Sequence, residues 1–217
     1  MATLAALSGQ TFSEAWELLV VDNNSSDRTA DIARARWTRS DVPLTVLSET
    51  NQGLMWARLC GLAAARGEWI CFVDDDNHLA PDYLSIADEI FDRNELVALV
   101  GGQATPAFEV DPPGWLTPGH WKALACGPQG IAEGLVDHPL YGAGICLRKA
   151  AWIDLKGSGW EPILQGRSGN VLLSGEDFEM ALVAVCRGWR IYYSPPTAIS
   201  APDSRRSTPV ALLVATV

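Results

Sequence analysis

The sequence predicts an α/β fold, a mostly parallel open sheet flanked by helices. Three observations carry that prediction. Four strand-like runs alternate with three helical segments inside the first hundred residues, an order that implies parallel pairing through right-handed crossovers. Two of those runs end abruptly in acidic loops, Asp22-Asn23-Asn24 and Asp74-Asp75-Asp76, and open sheets bind ligands beyond the carboxyl ends of their strands. The 217 residues are 48% hydrophobic with nine tryptophans, enough for one domain with a real core.

The elements follow in order. Residues 2–8 read as a short apolar helix closed by Gly9. A strand at 16–21 leads into the turn-rich loop 22–27, where Asp27 can cap a helix over 28–36. A second strand covers 44–47. Asn51-Gln52-Gly53 turns the chain into a helix over 54–65, with Gly67 as its stop. The run 69–73 is the third strand, followed by a helix over 81–92 and a strand at 96–100. Residues 101–140 are rich in Gly, Pro and Trp with little periodicity. A loop that long in a compact domain is functional or disordered, and its aromatics suit either stacking on sugar rings or ordinary packing. Small residues open a strand at 142–147, where a backbone or ligand can come close. A short helix at 148–155, a Gly-rich loop, a helix at 178–187 stopped by Gly188 and a final strand at 189–193 complete the pattern. The tail 194–217 is Pro/Ser/Arg-rich, then apolar, and carries no recognisable fold logic.

Bulk properties narrow the function. A formal charge of −10 argues against a nucleic-acid surface, which needs clustered Lys and Arg. Five scattered cysteines without a Cys-x-x-Cys read as free thiols in a reducing compartment. No signal-peptide pattern opens the chain, and no run reaches the ~18 apolar residues of a transmembrane segment. The expected location is the cytoplasm, including the cytoplasmic face of the membrane.

Asp74, Asp75 and Asp76 put three like charges at one strand end. Each pair repels by roughly 1 kcal/mol even at the dielectric of water. An oxygen-preferring cation such as Mn²⁺ or Mg²⁺ relieves that repulsion, with substrate phosphates completing its shell. The plainer alternative is a solvated loop in which Asp76 or Asn77 caps the helix after Pro81. Glu176 and Asp177 likewise sit where acids favour a helix N-terminus.

Taken together, these residues resemble family 2 glycosyltransferases with the GT-A fold. The resemblance runs collinearly over about 1–193: Leu-Leu-Val-Val-Asp-Asn-Asn-Ser-Ser-Asp (18–27), Asn51-Gln52-Gly53, Ala57-Arg58, 65–70, Phe72-Val73-Asp74-Asp75-Asp76-Asn77, Gly142-Ala143-Gly144, 175–179 and 187–191. It implies a single GT-A domain with a nucleotide-binding half (1–100) and an acceptor half (101–193), followed by an atypical tail (194–217). It also implies an inverting, metal-dependent transfer from a UDP- or GDP-type nucleotide-sugar donor to a sugar or lipid-linked acceptor. By motif, Asp22 and Asn24 would contact the nucleotide, Arg58 the base or diphosphate and Asp75 the ribose. Asp74-x-Asp76 would be the DxD-type metal motif. Asp177 would be the general base, with Glu176 orienting it or the acceptor.

The chain departs from the family in two places. The usual first strand, of the type Val-Ser-Val-Ile-Ile-Pro-Thr-Tyr-Asn, has no counterpart before residue 2. Its loss should expose neighbouring strands and remove part of the base pocket. The His that often follows the last strand is missing from Ala198-Ile199-Ser200-Ala201. A Gln-x-x-Arg-Trp motif is absent as well, which fits transfer of one sugar at a time. The alternative function is a truncated, non-catalytic remnant that at most binds nucleotide. A dinucleotide-binding oxidoreductase is disfavoured, since no Gly-x-Gly-x-x-Gly follows any strand.

Overall fold

In a computed structural model of the chain, residues 2–108, 110–164, 166, 174–202 and 211–216 are described, the backbone alone at 196–202 and 211–216. The elements are α1 (Ala2–Ser8), β1 (Glu17–Asp22), α2 (Thr29–Arg36), β2 (Leu44–Ser48), α3 (Leu54–Ala64), β3 (Trp69–Asp74), β4 (His78–Leu79), α4 (Tyr83–Arg93) and β5 (Val97–Ala107). A 3₁₀ turn at Pro118–Leu124 follows, then β6 (Gly134–Val136), β7 (Cys146–Arg148), α5 (Lys149–Gly157), α6 (Glu176–Cys186), β8 (Arg190–Pro202) and β9 (Ala211–Thr216).

One sheet runs in the order β2-β1-β9-β3-β7-β5-β8-β4, with β6 on β8. It is mixed, and this corrects the expected neighbour-to-neighbour parallel pairing. β1, β2, β3, β5 and β8 share a direction, but antiparallel β9 lies between β1 and β3, and antiparallel β7 between β3 and β5.

Period-2 alternation explains why the central strands read as unbroken apolar runs. Along β1, Leu18 and Val20 join one core while Leu19 and Val21 join the other. Along β3, Trp69, Cys71 and Val73 face the first, and Ile70 and Phe72 the second. A strand covered on both faces has no polar side to show. α4 supplies Tyr83, Leu84, Ala87, Ile90 and Phe91 to the first core at helical spacing, and α3, α5 and α6 line the second. Each fully buried aliphatic side chain contributes about 1.5–3 kcal/mol, so Ile70→Ala would cost about 2–5 kcal/mol.

Polar ties hold the layers in register. The Gln10 side chain donates to the Ala80 carbonyl at 2.7 Å and accepts from the Leu84 amide at 3.2 Å, fixing the segment after α1 against the start of α4. Arg148 donates to the carbonyls of Val97, Phe91 and Asn94, tying β7 to the end of α4 and the start of β5. The cysteines are free thiols, with Cys71, Cys126 and Cys146 buried.

Several local expectations are corrected. α3 ends on an extended Ala65, and Gly67 is not left-handed. A turn and β4 separate Asp76 and Asn77 from α4, whose N-cap is Asp82, so neither residue caps it. The span 101–140 holds the second half of β5, the 3₁₀ turn and β6. β7 begins only at Cys146, and α6 starts at Glu176, taking both acids into its first turn. β8 continues to Pro202, and β9 pairs with β1 and β3 across the gap where exposure was expected. Leu18, Val21, Ile70 and Val73 are fully buried.

Candidate active site

β1 and β3 point the same way and end in the carboxylates Asp22 and Asp74. Their register partners on β9 are Ala211 and Leu212, so the two backbones stand two strand spacings apart, about 10 Å.

At the β1 end, Asp22 Oδ1 accepts the Ser25 amide at 2.9 Å. The buried Asn23 donates to the carbonyls of Asn51 (2.6 Å) and Glu49 (3.2 Å) and accepts the Gly53 amide at 2.8 Å. It thereby fixes the loop that starts α3, with Gly53 at φ 140°, a value that favours glycine. Asn24 is exposed and left-handed at φ 60°. Asn23, which the sequence reading did not single out, is the loop's structural tie.

At the β3 end the three aspartates diverge. Asp74 is partly buried; burial pushes its carboxyl up to about 6, Arg58 opposes that rise, and Asp76, Asp75 and Glu176 add to it. Asp75 is exposed, and its carbonyl accepts the Thr3 hydroxyl at 2.6 Å. Asp76 Oδ1 accepts the Asn77 side-chain amide at 2.7 Å. Among the described residues, no three His, Cys, Asp or Glu side chains form a group that could hold a metal ion. The donor set fits a cation that takes one or two carboxylates and draws its remaining ligands from phosphate and water.

Arg58 projects from the buried face of α3 and joins the two acidic groups. Its guanidinium lies 5.4 Å from the Phe72 ring centroid, and Nη1 is 3.5 Å from Glu176 Oε1. Both side chains are more than nine-tenths buried. Arg58 Nε and Nη1 and Glu176 Oε2 nevertheless lack a hydrogen-bond partner among the described residues. Buried, unsatisfied charged groups are costly.

Glu176 and Asp177 open α6 behind the left-handed Gly175. Asp177 Oδ1 accepts the Phe178 amide at 2.9 Å. Its carboxylate rests against the backbone of Gly142, where an added Cβ would lie 3.0 Å from Asp177 Cγ and 3.2 Å from its Cβ. Gly142 therefore leaves room for this carboxylate. The turn is held from beneath, since Tyr83 Oη donates to the Gly144 carbonyl at 2.5 Å. A cleft lined by residues 131–138 and Arg190 contains none of the candidate residues.

The structure thus gathers Asp74, Asp75, Asp76, Arg58 and Glu176 into one electrostatic neighbourhood, with Asp177 next to Glu176 and Asp22 on the same sheet edge. The sequence profile of glycosyl transferase family 2 matches residues 2–144, from α1 through the turn at Gly142–Gly144. The chain belongs to glycosyl transferase family 2. Similarity to individual glycosyltransferases extends past residue 144. An N-acetylglucosaminyltransferase of Rhizobium leguminosarum is 27% identical over 212 residues, covering 93% of this chain and 47% of that protein. A glucosyl-dolichyl phosphate glucuronosyltransferase of Haloferax volcanii is 22% identical over 158 residues, 71% of this chain and 49% of that protein. Among solved structures, the mannosyltransferase PcManGT of Pyrobaculum calidifontis, in complex with GDP-Man and Mn2+, superposes with a TM-score of 0.64 at 22% identity over 94% of this chain and 53% of that one. S. aureus TarS 1-349 in complex with UDP gives 0.61 at 21% identity, over 95% and 57%. The fold is therefore GT-A, and the chain spans about half the length of these proteins.

Proposed function

We propose that the chain transfers one sugar at a time, with inversion, from a UDP- or GDP-type donor to a hydroxyl on a sugar or lipid-linked acceptor in polysaccharide or glycoconjugate synthesis. The observation that carries the reading is the pairing of two acidic groups around one buried cation: Asp74–Asp76 at the end of β3, Glu176–Asp177 at the start of α6, and Arg58 between them.

Each residue has a role its chemistry suits. Asp22 accepts an imide N–H of uracil or guanine, which a carboxylate does well. Asn24 lines the nucleotide beside it, and Asp75 faces the ribose. Arg58 offers guanidinium donors to the diphosphate. Asp76, helped by Asp74, would hold Mn²⁺ or Mg²⁺, as the PcManGT complex holds Mn2+. When bound, such a cation supplies neutralisation of charge developing on the departing diphosphate. Asp177 takes the proton from the acceptor hydroxyl as its oxygen bonds to the anomeric carbon on the face opposite the leaving group. Glu176, paired with Arg58, orients Asp177 or the acceptor. The domain organisation that goes with this reading is a nucleotide half over 1–100 and an acceptor half over 101–193, with 194–217 as an appended tail. The described helices include none long and apolar enough to cross a membrane, and a cytoplasmic site of action, including the membrane face, suits a nucleotide-sugar donor. The name of the Haloferax relative, which acts on a dolichyl phosphate, favours a lipid-linked acceptor.

The test is a donor screen with UDP- and GDP-sugars in Mn²⁺, reading nucleoside-diphosphate release and product anomer by NMR. Sugar transferred with inverted configuration is expected, and at least about 10²-fold slower in Asp177→Asn at unchanged donor affinity. Nucleotide binding without release in any donor–acceptor pair would replace this reading with that of a binding remnant.

A further inference from the structure

The segment after α5 is held to α6 by one side chain that the roles above leave unused. Glu179 sits in the first turn of α6 with its carboxylate directed at the incoming segment. Oε1 accepts the Trp160 indole N–H at 3.0 Å and the Ile163 amide at 2.9 Å. Oε2 accepts the Ile163 amide at 3.1 Å and the Leu164 amide at 2.7 Å. An ionised carboxylate is acceptor-only with about four lone-pair sites, and three N–H groups occupy it. Trp160 is braced in turn, edge-on to Trp152 of α5 at 5.9 Å between ring centroids.

The segment so held bears on the candidate site. Leu164 Cδ1 lies 3.1 Å from where a Cβ on Gly175 would stand. A Cβ on Gly166 would lie 3.1 Å from Glu176 Cδ and 3.3 Å from Leu54 Cβ. Glu176 pairs with Arg58. Contacts thus lead from Glu179 through Ile163 and Leu164 to Gly175, while Gly166 stands against Glu176, the two residues that precede Asp177.

We infer that Glu179 is a positioning residue of the acceptor side: it clamps 160–164 against Gly175 and so sets the wall beside Asp177 that an acceptor meets. The inference rests on Asp177 as the base. Four contacts from one carboxylate exceed what the start of a helix needs, and none of them caps the helix itself.

The test uses the full chain carrying Glu179→Ala and, should that variant fold poorly, Glu179→Gln, which keeps the shape and one acceptor oxygen. Amide hydrogen exchange at Ile163 and Leu164 should quicken about 10-fold or more in the Ala variant and less in the Gln variant. Acceptor KM should rise about 10-fold while donor KM stays within about twofold, with Gln restoring part of the loss. Faster exchange with unchanged acceptor KM would reduce Glu179 to a structural tie and overturn the inference. Unchanged exchange would overturn it too. Absence of transfer by the wild type would remove the parent reading and this one with it, an outcome distinct from wild-type transfer that the variants leave untouched.

Discussion

Gly142→Ala isolates the position of one carboxylate. The backbone at Gly142 is not left-handed, so alanine adds no backbone strain and slightly restricts the unfolded chain. The added methyl would stand 3.0 Å from Asp177 Cγ and 3.2 Å from its Cβ, with Oδ2 nearer still. Carbon atoms settle at about 3.5–4.0 Å, so the carboxylate must retreat by roughly 0.5–1 Å or turn away. Overpacking of this kind costs about 1–3 kcal/mol, partly offset by the loss of glycine's freedom. A base displaced by about 1 Å can cost 10²-fold in rate. The expected result is a folded variant whose midpoint of unfolding moves by no more than about 10 °C, whose nucleotide affinity is unchanged, and whose kcat falls about 10- to 100-fold. The assay pairs calorimetric nucleotide titration with initial rates of transfer at saturating donor. A folded Gly142→Ala that transfers within about threefold of the wild type would refute the assignment of Asp177 as base, because its carboxylate cannot stay where it is.

Four further outcomes are expected. Asp76→Ala, or removal of divalent cation by chelation, should weaken nucleoside-diphosphate binding at least about 10-fold in calorimetry, whereas equal affinity with and without cation would dissociate Asp76 from any metal. Asp177→Asn keeps the shape and the bond to the Phe178 amide, and should bind donor normally while losing transfer. Hydrogen bonds from Arg187, then Trp189, hold the Asp154 carboxyl down to about 2; stability from this bridge is present above the ordinary value of 3.8 and lost as pH falls toward 2, so the gap in unfolding midpoint between wild type and Asp154→Asn should be steady from pH 5 to 8 and close in acid. Val214→Pro removes a ladder donor from β9, which is paired on both sides, and should lower the unfolding midpoint by several degrees, against almost none if β9 were dispensable.

What could be read from the sequence follows from how local each signal is. β1 and β3 were legible because burial on both faces writes a continuous apolar run, and α4 because Tyr83, Leu84, Ala87, Ile90 and Phe91 keep helical period. β7 was overextended because Gly142–Ile145 is apolar for another reason: it forms the turn under Asp177. β9 had a signal, the unbroken apolar run 210–215, which suits a doubly buried strand. Its place between β1 and β3 depends on pairing across nearly the whole chain, and no local pattern encodes that. The structural part played by Asn23 was legible as well. Side chains alternate along β1, so Asn23 continues the face of Leu19 and Val21, both in the second core. Glu179 was hidden because its partners are the indole of Trp160 and two backbone amides, groups whose recruitment leaves no mark on composition or spacing.

Arg58 is where sequence and structure carry the most weight together. A chain with formal charge −10 keeps this cation more than nine-tenths buried, against Glu176 and near Asp74. Its Nε and Nη1 donors have no partner among the described residues, an arrangement that pure stability would disfavour. Donors already fixed in place cost no reorganisation when an anion arrives. A diphosphate meeting them would satisfy the orphaned N–H groups. Arg58→Lys would keep the charge yet lose the planar fork that such recognition uses.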